Sequence, residues 1–144
     1  MRILVATDGS EAADRAVEFA ARLAKENKAD LKILHVINPQ NMAMDQLKEF
    51  ARWEHIPLGE VLNTFAEEKL LAAKKYAERF GASVVKTECP YGDIAETIIE
   101  TAKNDRVDMI VVGKRGRGRL SGLILGSVSQ KVVSVAPCAV VVVP

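Results

Sequence analysis

The chain has 144 residues, 49% of them hydrophobic and 27% charged, which suits one globular domain spanning 1–144 with a sizeable buried core. A net charge of +1 argues against a surface that engages nucleic acid or an anionic membrane over its whole extent, and aromatic residues are only 5% of the total. Two cysteines, Cys89 and Cys138, are too few for a disulfide framework or a zinc cluster and read as small apolar core groups. Along the chain, Arg2 to Ala6 reads as a strand ending in Thr7-Asp8-Gly9-Ser10. Ser10 to about Asn27 follows as a helix with Ala13, Ala16, Val17, Ala20 and Leu23 on one face, capped by Asp8 or Ser10. Ala29 to Ile37 supplies a second strand. Pro39 to Ile56 shows no clean period, and its Met42, Met44, Trp53 and His55 are expected to pack, the methionines against a hydrophobic surface.

The 3.6-residue period returns from Leu58 to Phe80, with Gly81 as its stop. A third strand, Ala82 to Thr87, precedes a helix opened by Gly92-Asp93, which turns Ile94, Ala95, Ile98, Ile99 and Ala102 toward the core. Asp108 to Val112 is a fourth strand and ends at Gly113. A glycine- and arginine-rich loop runs to about Gly122, a short helix starts near Gly126-Ser127, and Pro137 ends it before the strand Cys138 to Val143. Apolar strands alternating with helices imply right-handed crossovers, hence an α/β fold built on a parallel sheet covered on both faces. Met1-Arg2 runs directly into strand residues, so no signal peptide is expected, and no apolar run is long enough to cross a bilayer. The expected compartment is the cytoplasm.

Ligands of such sheets collect outside the carboxyl ends of the strands. Two strand ends carry distinctive chemistry: Ala6-Thr7-Asp8-Gly9-Ser10, and the segment from Gly113 to Ser127. Glycines let backbone approach an anion and permit left-handed conformations that aim successive amides into one concavity. Gly126-Ser127 stands where a helix begins, so free N–H groups and the positive end of the dipole face outward. Lys114, Arg115, Arg117 and Arg119 add positive charge without interleaved aromatics, which favours nucleotide phosphate over nucleic acid. The arrangement is neither a Walker loop nor the dinucleotide fingerprint. His35, inside an apolar strand, reads as a satisfied core histidine.

The spacing Gly113-x2-Gly116-x9-Gly126-Ser127 resembles the ATP-binding pattern of the universal stress protein family. So do Ile3-Leu4-Val5-Ala6-Thr7-Asp8-Gly9-Ser10, Gly92-Asp93, Leu123 to Ser129 and Ala136 to Val143, over nearly the whole chain. The resemblance implies a five-stranded, doubly wound, Rossmann-like parallel sheet of order 3-2-1-4-5. It also implies ATP as ligand, with Mg²⁺ or Mn²⁺ bridging the phosphates and no metal site of the protein's own. Carried over, it sets Asp8 and Gly113 near the ribose and the backbone of Ala6, Thr7 and Val36 near adenine. Gly116, Gly126, Ser127 and Val128 then hold the phosphates. Where many relatives have small polar residues such as Ser-His, this chain has Lys114-Arg115.

The function implied is a nucleotide-dependent regulatory or stress-response protein, acting on a protein partner that the sequence does not name. Hydrolysis should be slow at most, because Asp8 is the one acid placed near the pocket and it is assigned to the ribose. An ATP-using hydrolase or nucleotidyl transferase would carry a Ser-Gly-Gly loop after the first strand, which this chain lacks. A receiver domain is excluded for want of an Asp after strand three and a Lys after strand five. An ATP-independent chaperone-like or interaction module remains the rival. In the order 3-2-1-4-5 the strand Ala139 to Val143 is a flat, uncharged edge, which predicts a homodimer formed by pairing it with its mate.

Overall fold

The computed structural model describes residues 1–41, 44–116 and 125–144. Its elements are β1 (Arg2–Ala6), α1 (Glu11–Asn27), β2 (Asp30–Leu34), α2 (Asp45–Trp53) and α3 (Leu58–Arg79), followed by β3 (Val85–Glu88), α4 (Ile94–Asn104), β4 (Met109–Gly113), α5 (Ser127–Val135) and β5 (Ala139–Val143). The five strands form one parallel sheet in the order β3-β2-β1-β4-β5, as the resemblance implied.

Period-2 alternation sorts the side chains of the central strands onto two faces. Ile3, Val5, Leu31, Ile33 and Val111 meet Ala16, Val17, Ala20 and Ala24 of α1 and Leu70, Ala73 and Ala77 of α3. Leu4, Leu34, Ile110 and Val112 meet Ala95, Ile98 and Ala102 of α4 and Val132 of α5. Alanine-lined helix faces let the helices sit close to the sheet, so small side chains complete a dry core that has few aromatics. The edge strand departs from expectation. Rather than running apolar from Ala82 to Thr87, β3 begins at Val85, and Lys86, Thr87 and Glu88 are exposed. With one neighbour and one open edge, it needs little apolar surface.

The second strand is also shorter than expected, because β1 leaves the sheet after Ala6 and Leu34 is its last partner. His35 and Ile37 continue on the β3 side alone, their amides donating to the carbonyls of Glu88 and Pro90. The stretch expected to be irregular, 39–56, contains α2. Its inward positions are Met44, Leu47 and Ala51, the first two packing with Leu58 on a small cluster of Ile37, Leu62 and Ala66. The helix is only nine residues long and has no side-chain cap, so the start signal that would mark it in the sequence is missing. Trp53, expected to pack, is 82% exposed. His55 adopts φ 55 and Ile56 N–H donates to the Ala51 carbonyl, so His55 makes a helix-terminating turn. Gly81, at φ 92, ends α3 in the same manner, with the Ala82 amide reaching the Ala77 carbonyl.

Lys32 of β2 joins Glu88 of β3 to Asp105 at the end of α4. Burial acts to lower the Lys32 pKa, but its hydrogen bonds to Asp105 and Glu88 outweigh this and hold it above the ordinary value. A raised pKa in the folded state means that the contribution is complete below the unfolded value of 10.5 and is lost as pH rises through the folded one. The pair is partly exposed, so the whole effect is on the order of 1 kcal/mol or less. Melting curves from pH 9 upward are expected to fall more steeply for the wild type than for Lys32→Met; parallel curves would show that the bridge contributes nothing.

Candidate functional site

β1 and β4 are hydrogen-bonded neighbours, yet α1 packs on one face of the sheet and α5 on the other. Their outgoing loops therefore part, and a crevice opens at the carboxyl ends of the strands. It is a cleft of about 490 Å³. Ala6, Thr7 and Asp8 from the end of β1, Val36 beyond β2, Gly113 and Gly116 beyond β4, and Gly126, Ser127 and Val128 at the start of α5 all line it. All nine residues singled out in the sequence are thus brought together.

The β1 side is fixed by a chain of short hydrogen bonds. Thr7 N–H donates to the Leu34 carbonyl at 2.9 Å, and His35 Nδ1 donates to the Thr7 carbonyl at 2.8 Å. Gly9, at φ 76, donates its amide to Thr7 Oγ1, and Ser10 N–H donates to Asp8 Oδ1 at 2.9 Å. Between the two proposed caps of α1 the structure selects Ser10, whose Oγ accepts from Ala13 N–H. Asp8 instead reaches across to the β4 side. Its Oδ2 lies 2.7 Å from where a Cβ on Gly116 would stand. Burial raises the Asp14 carboxyl pKa, and the negative charges of Asp8 and Glu11 raise it further against the opposing Arg15.

Beyond β4, Lys114 N–H donates to the Val143 carbonyl and Gly126 N–H to the Lys114 carbonyl at 2.9 Å. The loop therefore starts and ends at one point, and the Gly126 amide is engaged within it rather than presented to a ligand. Gly126 is the N-cap of α5 and supplies no side-chain cap. Ser127 is the first helical residue rather than the cap that sequence allowed. The amides of Ser127, Val128 and Ser129 have no acceptor within the helix, and the positive dipole end adds to them. Ser129 Oγ donates to the Gly113 carbonyl at 2.7 Å, tying α5 to the end of β4.

The site glycines differ from expectation in one respect. Among described glycines, positive φ in the left-handed range occurs at Gly9, Gly81 and Gly92, not at Gly113, Gly116 or Gly126. Close approach, not backbone conformation, is what these three supply. A Cβ on Gly113 would lie 2.9 Å from the Ala12 carbonyl carbon and 3.0 Å from its oxygen, between β4 and α1. Gly118, Gly122, Arg117, Arg119 and most of the loop from Leu120 to Leu125 fall outside the described residues, as does Met42.

Val36 owes its place to strand alternation. Since the amides of His35 and Ile37 face β3, the N–H and C=O of Val36 face the side that β1 has vacated. His35 is 5% exposed, so it is the satisfied core histidine expected, yet it also lines the cleft. Asn38, Asn41, Met44, Lys69 and Ser129 line it too and were not singled out as ligands. Lys69 left no local signal: it stands half-buried beside Leu70, which continues the inward stripe of α3 from Ala66 to Ala73. Of Lys114-Arg115, Arg115 is the cleft residue. Cys89 and Cys138 are half-buried, and burial raises both thiol pKa values, which suits unreactive core groups.

Two glycines make separable demands. Gly113→Ala sets a Cβ against backbone and should cost about 1–3 kcal/mol. Gly116→Ala meets only the end of the Asp8 side chain, so its melting temperature should stay within a degree or two of wild type while the carboxylate shifts. Thermal melts of both variants check this, and equal losses would contradict it.

The sequence model of the Universal stress protein family matches residues 1–144. Universal stress protein YxiE of Bacillus subtilis is 35% identical over 144 residues, covering 99% of this chain and 97% of that protein. Among solved structures, universal stress protein UspA from Lactobacillus plantarum superposes with a TM-score of 0.81 at 29% identity, covering 100% of this chain and 97% of that one. A universal stress protein in complex with cAMP gives a TM-score of 0.74 at 26% identity, with 99% and 95% covered. With its sheet order, strand-end cleft and full-length similarity, this chain belongs to the universal stress protein family.

Proposed function

We propose that residues 1–144 act as one nucleotide-binding domain whose cleft takes ATP, and that occupancy regulates engagement of a protein partner. The observation that carries this reading is the convergence, in one cleft of mononucleotide size, of three chemically distinct regions. The outward backbone edge of Val36 suits the Watson–Crick edge of adenine, one N–H meeting an acceptor and one C=O meeting the amino group. Asp8, held by Ser10 N–H, suits ribose hydroxyls. The first amides of α5, the Ser127 hydroxyl and Arg115 suit phosphates. Gly116 and Gly126 serve as clearance, since the Gly126 amide is already used. Family membership, and a relative whose structure holds cAMP, support an adenine nucleotide.

Among the described residues no group of three or more metal-ligating side chains occurs. A divalent cation, Mg²⁺ or Mn²⁺, would enter on the phosphate chain and neutralise charge there. Asp8 is the one carboxylate among the described lining residues, and the ribose role leaves no second acid to draw a proton from water. Hydrolysis is therefore slow. The segment carrying Asn38, Asn41 and Met44 runs from the cleft into α2, so a bound ligand acts directly on that segment.

β5 pairs with β4 on one side and lies at the end of the sheet, and its side chains from Val140 to Val143 are only half-buried. The reading includes a homodimer formed along this edge. Among the described residues no helix is long and apolar enough to cross a membrane.

Calorimetric titration with Mg-ATP should give saturable binding to the wild type. Gly126→Val should abolish it with the fold retained at a small loss of melting temperature, because the added methyls crowd the backbone of Lys114 and Arg115 and Val is a poor N-cap. Absence of heat with the wild type would refute the assignment. Turnover of tens of ATP per second would refute the regulatory reading, and sedimentation as a monomer at micromolar concentration would refute the dimer.

A further inference from the structure

Thr7 stands at the point where β1 quits the sheet. In a continuing parallel ladder its carbonyl would take an amide from β2, but the strand pair ends at Ala6 and Leu34. The acceptor is filled instead by a side chain, His35 Nδ1 at 2.8 Å. A carbonyl only accepts, so Nδ1 carries a proton and is the donor of this contact. The ring is 5% exposed, and its place on β2 is held by its own amide donating to Glu88.

The peptide unit that carries the Thr7 carbonyl is planar and carries the Asp8 nitrogen at its other end. Gripping that oxygen from one side, while Leu34 grips the Thr7 amide, fixes the orientation of Asp8 at its Cα. The side chain of Asp8 is then held by Ser10 N–H at one oxygen, with the other against Gly116. We propose that His35 is a positioning residue for sugar recognition: through the Thr7 carbonyl it places the Asp8 carboxylate at the ribose subsite. This rests on the nucleotide reading above. Without the imidazole donor the Thr7 carbonyl is buried and unsatisfied, and the peptide is free to rotate toward another donor, carrying Asp8 with it.

The donor has a specific address, which makes the role separable from packing. Asn can place its amide nitrogen where Nδ1 stands, whereas Gln carries its nitrogen one bond further out, near the place of Nε2. Phe keeps the ring and removes the donor. Affinities for ATP, 2′-deoxy-ATP and 3′-deoxy-ATP, measured by calorimetry on the full chain, give the test. For the wild type, at least one deoxy analogue should bind about tenfold more weakly than ATP, as expected for a lost hydrogen bond to a charged group. For His35→Phe and His35→Gln the ratio should fall to about one, and His35→Asn should restore it; His35→Gln carries the test if the Phe variant does not fold. A wild type that binds no adenine nucleotide defeats the nucleotide reading and this proposal with it. A wild type that binds all three ligands alike, a His35→Phe or His35→Gln protein that weakens all three equally with the ratio kept, or a His35→Asn protein that behaves as Phe does, leaves the nucleotide reading standing and overturns the role of His35.

Discussion

The geometry of the cleft depends on one constraint, the departure of β1 and β4 to opposite faces of the sheet. The two strands are in register from Ile3 opposite Met109 to Val5 opposite Val111, so they end at nearly the same level. Right-handed crossovers then carry the first chain to α1 and the fourth to α5. Among the described residues, the diverging loops leave a cleft between them. Ala6 to Asp8, Val36, Gly113 and Gly116 lie at or just beyond strand ends, and Gly126 to Val128 open α5.

The consequences differ on the two sides. On the β1 side the chain is held by side-chain hydrogen bonds, with Thr7, Asp8 and Ser10 each accepting a backbone N–H a few residues on. On the β4 side it is held by backbone contacts, by Ser129 Oγ on the Gly113 carbonyl, and by the close approach that glycines allow. Gly113 lets α1 approach, Gly116 leaves room for the Asp8 carboxylate, and Gly126 closes the loop onto Lys114 before the helix starts. The cleft thereby has a carboxylate toward one wall and helix-terminal amides toward the other, a separation of charge suited to a ligand that is a polyol in its middle and an anion at its end.

The third wall is made by β2 and the residues just beyond its end. Because β1 stops first, His35 to Ile37 are bonded on the β3 side alone, which gives Val36 an outward backbone edge and His35 a carbonyl to satisfy. The polar groups from Asn38, Asn41 and Lys69 then complete the rim. The same segment leads into α2, which packs through Leu47 and Ala51 and presents Phe50 and Trp53 outward.

Much of this was legible in the residues alone. Buried strands announce themselves by unbroken apolar runs such as Ile110-Val111-Val112, and helices by alanine at 3.6-residue spacing, because both patterns answer local burial. The nine candidate residues were placed by the resemblance to the universal stress protein family, because an Asp-Gly-Ser after a strand and spaced glycines are by themselves a weak signal. What sequence could not decide depends on contacts between distant parts of the chain. Whether Asp8 or Ser10 caps α1 turns on Asp8 facing Gly116, more than a hundred residues away. The reason for glycine at 113 is an Ala12 backbone that only the packed helix supplies. The edge position of β3 let Lys86 to Glu88 be polar, and α2 forms because Ile37, Leu62 and Ala66 offer it a surface. Lys69 and His35 entered the cleft in the same way, through the meeting of α3 and β2 with the end of β1, a juxtaposition that no local pattern records.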